Sequence, residues 1–389
     1  MVTRRQTFGL AAGGLALAGL PRAAFAAADT NKRLVVILLR GAMDGLSAVP
    51  ATGDPGFETA RGGLAMAGTL KLDSMFALHP NMGGMKGLYH AGELIVVHAA
   101  ATPYRDRSHF DGQNLLENGS EQPYGLDTGW LNRALAQMPG TGKPLGVALN
   151  SHMPLMLRGP APVTSWAPSL LPPPDGDTVQ RLAMLYGETD PVLAKNFANA
   201  QGANMIAAGG GGGGDGAGAR AFIGLMTAAA KFLTAPDGER IAMVEIGGWD
   251  THVNQVGAFS PLSTNLRTLD AGLTALKTAL GPVWKDTAIV IASEFGRTVA
   301  MNGTQGTDHG TAGAVFVAGG AVKGGRVIAD WPGLKPGDLY QARDLKPTTD
   351  FRTIATGVLR DHMGLQGAQL AAVFPSSATI KPYDGLIRV

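Results

Sequence analysis

Asp250, His252, Glu294, Asp308 and His309, five side chains able to ligate a metal ion, all fall within residues 247–311. They sit in three short pieces: Gly-Gly-Trp-Asp-Thr-His at 247–252, Ala-Ile-Val-Ile-Ala-Ser-Glu-Phe-Gly-Arg-Thr at 288–298, and Gly-Thr-Asp-His-Gly-Thr at 306–311. Each piece lies where an apolar run breaks into glycine-rich sequence, the expected position of a site at the carboxyl ends of parallel strands. The chain has no cysteine and eight histidines. Disulfides and thiolate sites are therefore excluded, and a metal would have to bind through His, Asp and Glu.

The three pieces differ in what they offer. Asp250 and His252 stand two apart, and in an extended segment both point the same way, so both could bind one ion; in the bland alternative Asp250 caps a helix. Asp308 could bind metal directly or fix the tautomer of His309; the alternative is a turn with an exposed histidine. Glu294 ends a fully apolar strand, where a carboxylate is hard to explain as packing, unless it pairs with Arg297. Upstream, the polar stretch 102–119 carries Ser108, with Asp111 three residues on. That spacing predicts a capping box opening a short helix. A serine there is also a nucleophile candidate, since a helix start favours negative charge and a metal lowers the hydroxyl pKa. His109, Asp111, Arg105 and Arg107 could assist, arginine being suited to phosphate or sulfate. His79, His90, His98, His152 and His362 have no ligand at short spacing and are read as structural.

The elements that must position these residues alternate between strand and helix. Apolar runs at 33–39, 93–98, 146–149, 241–246, 287–292 and 313–318 read as buried strands, with a short one at 325–328. Helical patterning covers 82–89, 130–137, 178–208, 220–234 and 261–280, and restarts near Asp350. The alternation implies parallel βαβ units in one sheet. Residues 158–176 are proline-rich, and 209–214 are six consecutive glycines followed by Asp-Gly-Ala-Gly, a flexible connector. Residues 158–219 are therefore taken as an insertion on a single domain covering 30–389.

Residues 1–26 read as a targeting segment. Thr-Arg-Arg-Gln-Thr-Phe at 3–8 fits a twin-arginine export signal, the following apolar run is short for a membrane span, and Ala24-Phe25-Ala26 fits a cleavage site. Export to the periplasm or beyond is the expectation, with no transmembrane segment in the mature chain. The segment holds Arg4, Arg5 and Arg22 of the 32 lysines and arginines and no acids, so the remainder sets 29 basic against 30 acidic side chains. No basic stripe remains for nucleic acid.

Taken together, Arg-Gly-Ala-Met-Asp-Gly-Leu at 40–46, Arg-Ser-His-Phe-Asp at 107–111, and the three pieces above resemble the exported DUF1501 proteins, over nearly all of residues 1–365. That family is similar to the alkaline phosphatase/sulfatase superfamily. The resemblance implies a three-layer α/β/α sandwich with a largely parallel central sheet, and hydrolysis or transfer of phosphate or sulfate esters with a divalent metal: zinc, manganese, magnesium or calcium. It implies Asp44 as the first metal aspartate, Ser108 as nucleophile, Asp250 and His252 in one metal site, and His309 as a ligand. Ser293-Glu294-Phe295-Gly296 corresponds to the superfamily's Ser-Asp-His-Gly, so Phe295 replaces a metal-binding histidine. A second site would then keep Asp44 and Glu294 and take an oxygen-preferring ion, or be empty. The rival expectation is a catalytically degenerate envelope protein that binds an anionic glycan or a protein partner.

Overall fold

Side chains of a strand alternate between two faces, and residues 34–39 divide accordingly. Val35, Ile37 and Leu39 enter one hydrophobic core and Leu34, Val36 and Leu38 the other, all essentially without solvent exposure. A strand covered on both faces carries a continuous apolar sequence, and this one does. In the computed structural model, which describes residues 31–139, 143–169, 174–207, 219–375 and 380–388, that strand is β1 (Arg33–Leu39). The twin-arginine stretch and the six glycines lie outside the described residues.

The elements follow in order. After β1 come α1 (Gly45–Ala48), α2 (Phe57–Arg61), a hairpin of β2 (Leu70–Lys71) and β3 (Ala77–Leu78), α3 (Gly83–His90) and β4 (Leu94–Ala101). Next are α4 (His109–Asn118), α5 (Trp130–Gln137), β5 (Gly146–Leu149), β6 (Val163–Ser165), α6 (Gly176–Thr189), α7 (Pro191–Ala207) and α8 (Ala219–Thr234). The last third holds β7 (Ile241–Ile246), α9 (Pro261–Leu280), β8 (Thr287–Ser293), β9 (Gly313–Ala318), β10 (Arg326–Ile328), β11 (Thr349–Asp350), α10 (Phe351–Asp361) and α11 (Gly367–Val373).

Among the described residues, nine strands form one sheet in the order β10-β4-β9-β8-β1-β7-β5-β6, with β11 also beside β4. Phe222, Met226, Leu266, Leu269 and Leu273 of α8 and α9 pack with Val35 and Ile37 on one face. Trp130, Leu131, Ile354, Ala355 and Val358 of α5 and α10 pack with Leu34 and Val36 on the other. The result is a three-layer α/β/α sandwich. Within unit 31–389 the chain is one compact body.

Within the nine-stranded sheet the parallel expectation holds for every pairing except those of β9, which runs antiparallel to both β8 and β4. The reason is the connection: residues 294–312 form a loop with no crossover helix, so β9 returns beside β8 in the opposite direction. Two other departures are local. The strand expected at 93–98 continues to Ala101 through a bulge at His98 and Ala99. The segment expected to be an insertion contributes β6, which extends the sheet parallel to β5. None of α6 is buried, whereas α7 buries Ala203 and Ala207.

At the centre of the sheet, Leu39 of β1 is level with Ile246 of β7 and with Ser293 of β8. The carboxyl ends of three adjacent parallel strands therefore open onto the same space. No helix among the described residues is long and apolar enough to cross a membrane.

Candidate metal centre

Four segments meet above those strand ends. The loop after β7 brings Asp250 and His252, the start of α4 brings His109, the loop after β8 brings Glu294 and Arg297, and the loop leading to β9 brings Asp308 and His309. Close backbone approach is what permits this. Gly41, with φ +118°, lies against Asp250, where an added Cβ would be 2.7 Å from the Asp250 nitrogen. At Gly306 a Cβ would be 2.2 Å from the His252 carbonyl.

Three imidazoles converge on one carboxylate oxygen. Asp250 Oδ1 is 3.4 Å from His109 Nε2, 3.0 Å from His252 Nε2 and 3.2 Å from His309 Nε2. His252 Nε2 and His309 Nε2 are 3.0 Å apart. His109, Asp250 and His309 each offer a ligand atom within 4.8 Å of the other two.

Each ring is aimed by an acceptor on its far nitrogen. His109 Nδ1 is 2.7 Å from Glu294 Oε1, His252 Nδ1 is 3.2 Å from Asp308 Oδ1, and His309 Nδ1 is 2.8 Å from the Arg107 carbonyl oxygen. A histidine that donates from Nδ1 presents the Nε2 lone pair, the arrangement in which imidazole ligates metal. Among the described residues the buried His109 Nε2 has no hydrogen-bond partner within normal geometry, Asp250 Oδ1 standing 3.4 Å away. A polar atom left so is costly unless something else meets it. The nitrogens of His109 and His309 and the Asp250 carboxylate, with His252 Nε2 beside Asp250 and His309, are a donor set that fits a divalent cation.

The electrostatics agree with an anion at Asp250 and Glu294. Burial pushes the Asp250 carboxyl up, but Arg297, whose Nη1 lies 2.6 Å from Oδ1, brings it below its ordinary value. Burial likewise pushes Glu294 up, and hydrogen bonds from His109 and Gln113 bring it net down. The Glu294 hydrogen bond raises His109, whereas burial lowers His309. Asn302 donates to Asp308 and holds that carboxyl down.

Several expected ligands take other parts. Asp44 lies outside the centre: it caps α1 through Leu46 and Ser47, and its Oδ2 meets Arg61 Nη2 at 2.6 Å and Gln255 Nε2 at 2.5 Å. Both oxygens are occupied by protein donors, so the aspartate after the first strand is a structural anion here. Burial opposes its ionisation, and the adjacent Arg61 overcomes this and lowers its pKa. Glu294 Oε1 accepts from Gly41 and Gln113 as well as facing His109, and Oε2 accepts from Ser293 Oγ. Glu294 thus holds the His109 ring from its Nδ1 side, and its recorded partners do not include Arg297. Asp308 likewise supports His252 from behind.

The second site expected at Asp44 and Glu294 is therefore closed by the protein's own groups. Phe295 stacks on His109 with ring centroids 5.0 Å apart. It makes a wall, and its nearest core companions are Ala42, Tyr104 and Leu115.

The upstream residues also rearrange. Ser108 is the N-cap of α4 but its side chain makes no capping bond, so the expected capping box is absent. Asp111 instead accepts from Tyr104 Oη. The Arg105 guanidinium is held by the carbonyls of Thr102 and Tyr104, and that of Arg107 by Asp344 and Gln341. Neither side chain reaches the centre; Arg107 serves through its carbonyl, from a left-handed backbone at φ +63°. Sequence reading gave His109 an assisting role, and the fold puts it among the candidate ligands. Arg297 was read only as a partner for Glu294 and pairs with Asp250 instead, and Gln113 and Gln255 were missed. Arg297 is fully buried and ties Asp250 to Thr307, and Gln113 links Arg40 to Glu294.

No curated protein matches the sequence. Among solved structures, the C-terminal periplasmic domain of EcEptC from Escherichia coli, in complex with Zn, is 12% identical with a TM-score of 0.39, covering 92% of each chain. Phosphonate monoester hydrolase of Agrobacterium radiobacter is 12% identical with a TM-score of 0.34, covering 90% of this chain and 79% of that one. A putative sulfatase from Bacteroides thetaiotaomicron is 9% identical with a TM-score of 0.36, and this chain spans 65% of its length with 75% of its own. The model of a family described as "Protein of unknown function (DUF1501)" matches residues 65–374, and the chain belongs to that family.

Proposed function

We propose that this protein is an exported, metal-dependent hydrolase or transferase of phosphate or sulfate esters built around one cation site. The observation that supports it is the convergence of three Nδ1-anchored imidazoles on Asp250 Oδ1, with the buried His109 Nε2 lacking any hydrogen-bond partner. His109, Asp250, His252 and His309 would hold the ion, and an imidazole-rich set favours zinc over magnesium or calcium. A divalent cation there supplies positive charge that polarises an ester oxygen and favours ionisation of a neighbouring hydroxyl.

The chain's own groups do the rest. Glu294, Asp308 and the Arg107 carbonyl fix the three rings, so no reorientation is needed on binding. Arg297 keeps Asp250 ionised. Ser108 is the nucleophile in this reading, since it precedes His109 directly and leaves the α4 start uncapped by its own side chain. Arg105 and Arg107 are not assigned to the substrate, their guanidinium groups being engaged elsewhere. Residues 1–26 direct export by the twin-arginine route; lysine at both Arg4 and Arg5 is expected to hold the protein in the cytoplasm.

The test is metal analysis of the purified protein, together with hydrolysis of 4-nitrophenyl phosphate and sulfate before and after chelation. Bound metal near one per chain and chelator-sensitive turnover are expected, with turnover lost in Ser108→Ala. Activity retained in that variant removes Ser108 from the nucleophile role. A second reading, an anion-binding envelope protein without catalysis, is favoured by Phe295 and by the closed second site. Stoichiometric metal with no turnover across an ester panel selects it.

A further inference from the structure

A cavity of about 630 Å³ adjoins the centre, within the size range of small-molecule sites. Ala60, Val299, Met301, Leu334 and Leu339 give it an apolar lining. One wall is shared with the centre. Asp308, which lines the cavity, holds His252 Nδ1; Asn302, also in the lining, donates to Asp308 Oδ1 and to the His252 carbonyl.

Two cations stand at the same cavity. Arg343 Nη2 donates to the His309 carbonyl oxygen at 2.6 Å, which places its guanidinium between cavity and centre. Lys335 is exposed and pairs with no acid among the described residues. Asp308 is the acid in the wall, and its negative charge is met by His252, Asn302 and Arg343. Apolar surface with Arg343 on the side of the His309 carbonyl and Lys335 in the lining is complementary to an amphiphile: a hydrocarbon body with an anionic head.

We propose that this cavity is a subsite for the hydrocarbon part of an amphiphilic monoester anion, an alkyl or alkylaryl sulfate or phosphate whose head lies toward Arg343 and the centre. The proposal rests on the ester-hydrolase reading of the centre and names its substrate class. Chain length should then govern affinity, at about fourfold per methylene buried.

The experiment uses sulfonates, which carry the head and the chain but no ester to cleave. Calorimetric titration of the full protein with methane-, butane- and octanesulfonate is expected to show affinity rising steeply, with a gain of about 250-fold between the last two when all four added methylenes are buried. Ala60→Trp, which fills the cavity, and Met301→Ser, which makes part of its lining polar, should each cut octanesulfonate affinity at least tenfold and leave methanesulfonate binding and metal content unchanged. Equal affinity for all three sulfonates, or chain dependence untouched in both folded variants, overturns the subsite. Chain-dependent binding with no ester turned over leaves the subsite standing and removes the hydrolase reading. Turnover of short esters without chain dependence does the opposite.

Discussion

Glu294 Oε1 lies 2.7 Å from His109 Nδ1, on the side of the ring that faces away from Asp250. A carboxylate that directly follows the central strand β8 thus acts at one remove, by fixing which nitrogen of His109 faces the centre. Its other partners, Gly41, Gln113 and Ser293, leave it no geometry for a second role.

If that is how Glu294 works, Glu294→Ala should weaken metal binding without abolishing it. Loss of a carboxylate behind a ligating histidine typically costs 10–100-fold in affinity. Competition against a chelator of known affinity measures it. His109→Ala, which removes the ligand itself, should lose more, and an affinity unchanged in Glu294→Ala would show that His109 is held by other means.

Asp44 should behave in the opposite way. Asp44→Ala leaves the wholly buried Arg61 without its carboxylate. Breaking a buried pair from one side costs about 3–5 kcal/mol. Urea denaturation should register that loss, while the folded fraction keeps its full metal content. Reduced metal stoichiometry in folded protein would return Asp44 to the ligand set.

Metal removal should lower stability as well as activity. A ligand bound only by the folded chain adds about 2.7 kcal/mol at a free concentration one hundred times its Kd. Thermal melts with and without a chelator, repeated on His309→Ala, check this. The variant should melt at the same temperature in both conditions.

Acid should destabilise the fold through three histidines far from the centre. His79, His98 and His362 are all buried, and burial brings each to a pKa of about 4. Such a group stays neutral in the fold while the unfolded chain takes up a proton near pH 6.5. Stability therefore falls as pH drops from about 6.5 to about 4, by up to roughly 3 kcal/mol per histidine. Denaturation at pH 7 and pH 5 on the metal-free protein reads the slope. His98→Gln should flatten it.

Much of the fold was legible because the buried strands carry continuous apolar runs: 146–149, 241–246 and 313–318 match the observed bounds. The reversal of β9 was not, since direction depends on whether a helix intervenes, and residues 294–312 offer no periodicity either way. In the site, Asp250 and His252 drew notice from their place after a strand and His309 from its place before one, and the fold brings Asp250 and His309 together with His109. The division of labour among the acids was not. Whether Asp44, Glu294 or Asp308 faces a cation or a protein donor depends on Arg61, Gln113, Gln255 and Asn302, and no short-range spacing connects most of these to their partners. Gln255 Nε2 and Asp44 Oδ2 lie 211 residues apart along the chain. His109 was in view, but its neighbour Ser108 matched a known pattern and took the leading part.

Phe295 has one more effect. Its ring sits under Gly112, where an added Cβ would be 2.9 Å from the Phe295 Cδ1, and against the face of His109 on the same helix. The first turn of α4 therefore rests on an aromatic plate carried by the loop after β8, and the plate cannot tilt without moving His109. The Phe295 ring joins the centre to the core, so that His109 is held by packing on one side and by hydrogen bonds on the other.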